Sequence, residues 1–134
     1  MTEGWLGDEY LMLLSEDESA SYSARCEFES LLPGYTLIGF RSWDDFIVIG
    51  KDGGIYSLPT IPALESDRVG FSLPSGLALR LDTRFVGKIK WYVKPLCFGG
   101  EVDDKRNVTW LQLDEHAQLV AWWNEQYRNA VAGQ

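Results

Sequence analysis

Short apolar runs separated by turn residues dominate the pattern along this chain. "YLMLL" at residues 10–14 predicts a strand that ends at Ser15. Glu18 follows Ser15 by three positions, the spacing of a capping box, and predicts a helix, whole or broken, through about Leu31. Pro33 then forces Leu32 out of helical geometry and Gly34 permits a turn, so "YTLIGF" begins the next strand.

"FIVIG" at 46–50 and "IYSL" at 55–58 are β-rich runs separated by "KDGG", which predicts a hairpin turning near Asp52-Gly53. The double glycine lacks the lysine and following hydroxyl of a phosphate-binding loop, so it reads as turn chemistry. "LPTIP" carries prolines suited to a strand's end. Residues 69–85 fit two short strands, or one strand and a helical turn.

In "GKIKWYVKP" the pattern alternates, with Ile89, Trp91 and Val93 on one face and Lys88, Lys90, Tyr92 and Lys94 on the other, as in a half-exposed strand. The basic face reads as solvated rather than phosphate-gripping. A linker, "CFGGEVDDKRN", leads to a strand "VTWLQL" and then to a long helix with Asp114 as its N-cap and Gly133 closing it. Leu119, Trp122, Trp123, Gln126, Tyr127 and Ala130 follow helical spacing and predict its core-docking stripe. With no repeat and no boundary signal, residues 1–134 are expected to form one α+β domain.

Composition agrees with a packed core: 46% of the 134 residues are hydrophobic and six are tryptophan. No apolar run approaches the roughly 18 residues of a membrane helix, and the acidic N-terminus differs from a signal peptide, which places the chain in the cytoplasm. Cys26 and Cys97 are too few and too far apart for a disulfide scaffold and are expected as reduced thiols. The net charge of −8 is uneven: residues 1–30 carry eight carboxylates against Arg25 alone. Such a block disfavours nucleic acid as a partner and favours a cationic protein.

Signals for chemistry are sparse. His116 is expected to face solvent; a thiol dyad with Cys97 would need a surrounding motif that is absent. Asp44-Asp45 and Asp103-Asp104 read as loop acids, since neighbours on an extended chain point to opposite faces. No catalytic residue, metal site or cofactor is expected, and binding is favoured over catalysis. The candidate partner-binding residues are Glu16, Asp17 and Glu18, which steer, and Trp43 beside Asp44 and Asp45, which anchors.

The order "WLGDEYLMLLS", acidic helix, "LPGYTLIGF", "DFIVIGKDGGIYSLPTIP", "KPLCFGG" and "WLQLDEHAQLVAWWNEQYR" resembles the SUKH superfamily, the Smi/Knr group of immunity and cell-wall-regulation proteins. The resemblance covers most of the chain and implies a twisted, mainly antiparallel sheet flanked by helices, with a C-terminal amphipathic helix. It implies no enzyme activity. Bacterial members commonly bind and neutralise a cognate toxin, often a nuclease, so the resemblance points to an immunity protein with a basic toxin partner. A housekeeping regulatory or scaffold protein of the same fold is the alternative, and a small hydrolase a more distant one. The family's usual N-terminal helices have no counterpart here, which would leave a sheet face less covered and favour a homodimer.

Overall fold

A computed structural model describes residues 1–73 and 78–133. Its larger sheet holds six antiparallel strands in sequence order: β1 (Thr2–Leu6), β2 (Glu9–Leu13), β3 (Thr36–Arg41), β4 (Asp45–Ile49), β5 (Ile55–Pro59) and β6 (Val69–Gly70). A separate two-stranded antiparallel ribbon pairs β7 (Ile89–Tyr92) with β8 (Val108–Leu111). The helices are α1 (Glu16–Cys26), the short α2 (Phe28–Leu31) and α3 (Leu113–Ala132). The α+β architecture expected from the pattern is therefore present. Among the described residues no helix is long and apolar enough to cross a membrane.

Strand register explains the core. Met12, Phe40, Phe46 and Leu58 stand opposite one another across β2 to β5, and all are at most 1% exposed. Burying side chains of this size stabilises the fold by roughly 1.5–3 kcal/mol each. Tyr22 of α1 sets its ring edge-on to Phe40, with centroids 5.2 Å apart. One buried cluster joins this sheet face to α1, α2, α3 and to Ile89 and Trp91 of the ribbon. Leu11 and Ile47 alternate to the opposite face and are nevertheless wholly buried.

Local signals hold where the sequence is explicit. Ser15 caps α1 in a full capping box with Glu18, and Glu27, in left-handed geometry, separates α1 from α2. In the β4–β5 hairpin Ile49 pairs with Ile55; Gly53 has φ 81°, and Asp52 Oδ1 accepts from the Gly54 N–H at 2.9 Å. Asn and Asp make this turn well because their side chains bond the backbone two residues on.

Other expectations need correction. The opening residues, for which the pattern made no prediction, form β1, joined to β2 through Gly7 and Asp8. Val93 is 53% exposed, because the alternating strand ends at Tyr92. Gln112 rather than Asp114 holds the N-cap position of α3; its N–H donates to Glu115 Oε1 at 3.4 Å, and Asp114 Oδ1 accepts from the Glu115 N–H at 2.9 Å. The docking face of α3 is turned from the expected stripe: His116, Ala117, Val120 and Asn124 are buried, while Trp122 is 51% exposed and Ala130 is exposed. Leu119 and Trp123 do pack partly against the core.

The phase differs because two polar residues face inward with hydrogen bonds made. Asn124 accepts from the Ala63 N–H at 2.8 Å and donates to the carbonyl oxygens of Thr60 and Val120, so α3 is tied to the segment after β5. Of the reading of residues 69–85, β6 and an isolated bridge between Trp5 and Arg80 are observed, and residues 74–77 lie outside the described part. Cys26 is buried and Cys97 exposed, both as free thiols.

Candidate functional site

The β3–β4 connection carries three of the residues singled out from sequence. Ser42 and Trp43 both have positive φ, 49° and 65°, which non-glycine residues adopt rarely and at a cost on the order of 1 kcal/mol or more each. Ser42 N–H donates to the Tyr10 carbonyl at 2.8 Å and Thr60 N–H to the Asp44 carbonyl at 3.0 Å, which holds the turn between β2 and β5. The reversal lays the Trp43 ring on Tyr10, stacked with centroids 4.9 Å apart, and Trp5, Phe85 and Trp110 meet its ring edge-on. Trp43 is thus half-buried within an aromatic cluster and is no exposed anchor.

Under this turn lies a cavity of about 180 Å³. Trp43, Asp44 and Asp45 line it from one side, and residues 59–61 at the end of β5 from a second. Lys90, Trp91 and Tyr92 of β7 and the turn Pro95–Cys97 form the third side, and His116 of α3 contributes to the wall. Both aspartates border the cavity, but their charges diverge as those of neighbours on an extended chain do: Lys90 is the opposite charge acting on Asp44, whereas Asp45 has Arg41 and Ser57 as partners across β3 and β5.

Burial raises the carboxyl pKa of both aspartates. Lys90 pulls that of Asp44 back toward normal, and Arg41 does so for Asp45, which also accepts from Ser57 Oγ at 3.4 Å. Asp44 remains exposed at the rim. Lys90 lies over the Tyr92 ring, 4.9 Å from its centroid, and donates to its hydroxyl at 3.1 Å.

His116 overturns the expectation of a solvent-facing side chain. It is 0% exposed, ringed edge-on by Phe40 and Trp91 at 5.3 and 5.2 Å, and its Nδ1 lies 2.7 Å from the Tyr22 hydroxyl. Burial alone lowers its pKa to about 3, so the imidazole is neutral at pH 7. Cys97 lines the same cavity, yet His116 Nε2 has no hydrogen-bond partner among the described residues. Partial desolvation also pushes the pKa of the largely exposed Cys97 thiol up, so the pair lacks the contact and the charge that activate a thiolate. No three His, Cys, Asp or Glu side chains among the described residues converge on a point that could hold a metal ion.

The other candidates lie elsewhere. Glu16, Asp17 and Glu18 follow the end of β2, whereas Asp44 and Asp45 follow the end of β3, and the two strands run antiparallel. The two groups therefore occupy opposite ends of the sheet. Glu16 and Asp17 are exposed, but Glu18 is committed to the cap: its Oε1 accepts from the Ser15 N–H at 2.9 Å, the main cause of its lowered pKa.

Sequence reasoning missed the contributions of Tyr22, Lys90 and Trp91 to the site and misplaced His116. The available signal was a histidine beside alanine, one turn before Val120 on a helix. No protein-family model, curated protein or solved structure matches the chain.

Proposed function

We propose that this chain is a non-catalytic protein-binding domain of SUKH type, acting in the cytoplasm as an immunity protein that binds and neutralises a basic toxin. The observation that carries the reading is the charge of the α1–α2 surface. Glu16, Asp17, Glu27 and Glu29 are exposed there, with Arg25 the one basic residue in the same segment. Such a field raises the rate of encounter with a cationic partner by roughly 10- to 1000-fold at low salt, and less as salt rises.

Affinity needs an apolar anchor as well as a field. Trp122 replaces Trp43 in that role: it is 51% exposed and edge-on to Trp123, 4.8 Å away, which in turn meets Phe98. Trp122→Ala is expected to speed dissociation about 30-fold if the contact is worth about 2 kcal/mol.

The test is to purify the chain with its bound protein from native cells, then to measure toxicity and association with the isolated partner. Neutralisation by a stoichiometric complex, together with association that slows at least about tenfold in a Glu16→Lys, Asp17→Lys, Glu29→Lys variant at low salt, supports the proposal. Glu18 is spared in that variant because it caps α1. Several weak partners with no toxicity would favour the scaffold reading, and unchanged association would remove the steering claim.

A further inference from the structure

β2 stops at Leu13, opposite Gly39, whereas β3 runs back to Thr36, so Thr36 and Leu37 lie beyond the end of β2. The chain turns there into α1, with the Leu14 N–H donating to the Ile38 carbonyl at 3.0 Å. Between α1 and the start of β3 this leaves a groove of about 670 Å³, inside the range of roughly 300–1,000 Å³ in which proteins hold ligands. Leu14, Ile38 and Ile49, each half-buried, give it an apolar floor. On the α1 side Ser19, Ala20, Ser23 and Ala24 recur at helical spacing, and both alanines are exposed. Side chains this small let a second backbone come close. Ser19 Oγ donates to the Leu37 carbonyl at 2.6 Å, which fixes the wall against the floor.

Charge selects the occupant. Glu16 borders the groove at the start of α1 and Glu29 beyond its end, and both are exposed. No lysine or arginine is among the residues that line it. Glu29 Oε1 accepts from the Gly34 N–H at 3.3 Å, a neutral partner that leaves the charge in place. Lys51 packs at the Gly34–Tyr35 end, where its ammonium is 4.0 Å from the Glu65 carboxylate, so its charge is already answered there. From Glu16 to Cys26 α1 rises roughly 15 Å, about the length of five extended residues. The complement is a cationic segment with apolar side chains between two basic ones. An acidic segment or a second copy of this groove is disfavoured, because each brings like charge.

We propose that the groove between α1 and the start of β3 is the docking site for a short extended segment of a basic partner protein, with apolar side chains between two lysine or arginine residues. The proposal rests on the reading of a cationic partner and deepens it. Glu16 and Glu29 belong to the steering surface, and the groove sets an apolar contact within that surface, in addition to Trp122 on α3.

The probe is a synthetic peptide with lysines five positions apart and leucine and valine between them, titrated into the ¹⁵N-labelled full chain and followed by NMR. Saturable shifts of the Ala20, Ala24 and Ile38 amides are expected, with a Kd of about 300 μM or tighter. Exchanging the lysines for glutamate, or the leucine and valine for serine, should weaken binding at least about tenfold. Ala24→Tyr fills the groove and changes no charge, so the affinity should again fall at least about tenfold. Ala20→Tyr supplies the same comparison should that variant fail to fold. No saturation up to about 5 mM overturns the proposal. So does equal binding of the serine-substituted peptide, which would leave charge alone as the cause, or unchanged affinity in a folded variant. The groove and the partner reading fail separately. An isolated partner that associates more slowly after reversal of Glu16, Asp17 and Glu29, yet leaves the Ala24→Tyr chain no faster, removes the groove and keeps the steering; peptide binding with no cationic partner in native cells keeps the groove and removes the toxin.

Discussion

At the start of α1, Glu16 and Asp17 stand in solvent and Glu18 turns back onto the Ser15 N–H, while across the sheet Asp44 and Asp45 meet a cavity walled by aromatic rings. The pKa shifts run in opposite directions: that of Glu18 is lowered mainly by a backbone hydrogen bond, and those of Asp44 and Asp45 are raised mainly by burial. Carboxylates in solvent act at a distance and cost the fold little. Desolvated ones are held at a cost, and their specific use comes on contact. The comparison separates carboxylates suited to acting at a distance from carboxylates held by the packing around them.

The largest expected effect lies in the cavity wall. His116→Ala removes a wholly buried ring and leaves the Tyr22 hydroxyl unpaired, and should cost about 3–4 kcal/mol in urea denaturation. A loss below about 1 kcal/mol would show that the ring is not packed as described.

Acid should reveal the same residue. The folded pKa of His116 is about 3, against 6.5 unexposed to burial, so below pH 6.5 the unfolded chain binds a proton that the folded chain does not. Stability attributable to this group is therefore full above pH 6.5 and declines as pH falls toward 3, by up to about 1.4 kcal/mol per pH unit. Denaturation midpoints of His116→Phe measured across that range should lack this slope; an identical slope would assign the acid sensitivity to other groups.

Smaller effects are expected where structure is local. Gly53→Val forces a β-branched residue into φ 81° and should cost about 1 kcal/mol or more. Ser15→Ala removes the acceptor for the Glu18 N–H and should cost about 1 kcal/mol. Equal denaturation midpoints for wild type and either variant would contradict the corresponding turn or cap.

The smallest effects sharpen the contrast most. Asp45→Asn should raise the melting temperature at pH 7, because it removes a half-buried charge, and the gain should vanish as pH falls through the raised carboxyl pKa. Glu18→Gln should lower it at pH 7, since a lowered folded pKa stabilises the fold above the unfolded value of 4.5 and loses that contribution as pH falls. The same sign for both variants would erase the distinction.

Legibility divided along the same line. The Ser15–Glu18 box and the Asp52–Gly53 turn are specified within a few residues, and both were readable. The cavity is assembled from the β3–β4 turn, the end of β5, β7, the Pro95–Cys97 turn and α3, so nothing local announces it. Hydrophobic periodicity also misphased α3, because His116 and Asn124 face inward with hydrogen bonds that a pattern of apolar residues cannot show. Trp43 was visible as a tryptophan beside two acids, but its burial depends on Tyr10, Phe85 and Trp110, which are distant in sequence.

The most direct measurement of the central claim, that His116 is a buried neutral imidazole accepting from the Tyr22 hydroxyl, is a long-range ¹H–¹⁵N NMR titration of the His116 ring. The expected result is the neutral tautomer with hydrogen on Nε2, unchanged from pH 8 down to about 5, because the ring's pKa is lowered to about 3. A ring that titrates near 6.5, or one that carries its hydrogen on Nδ1, would contradict the account.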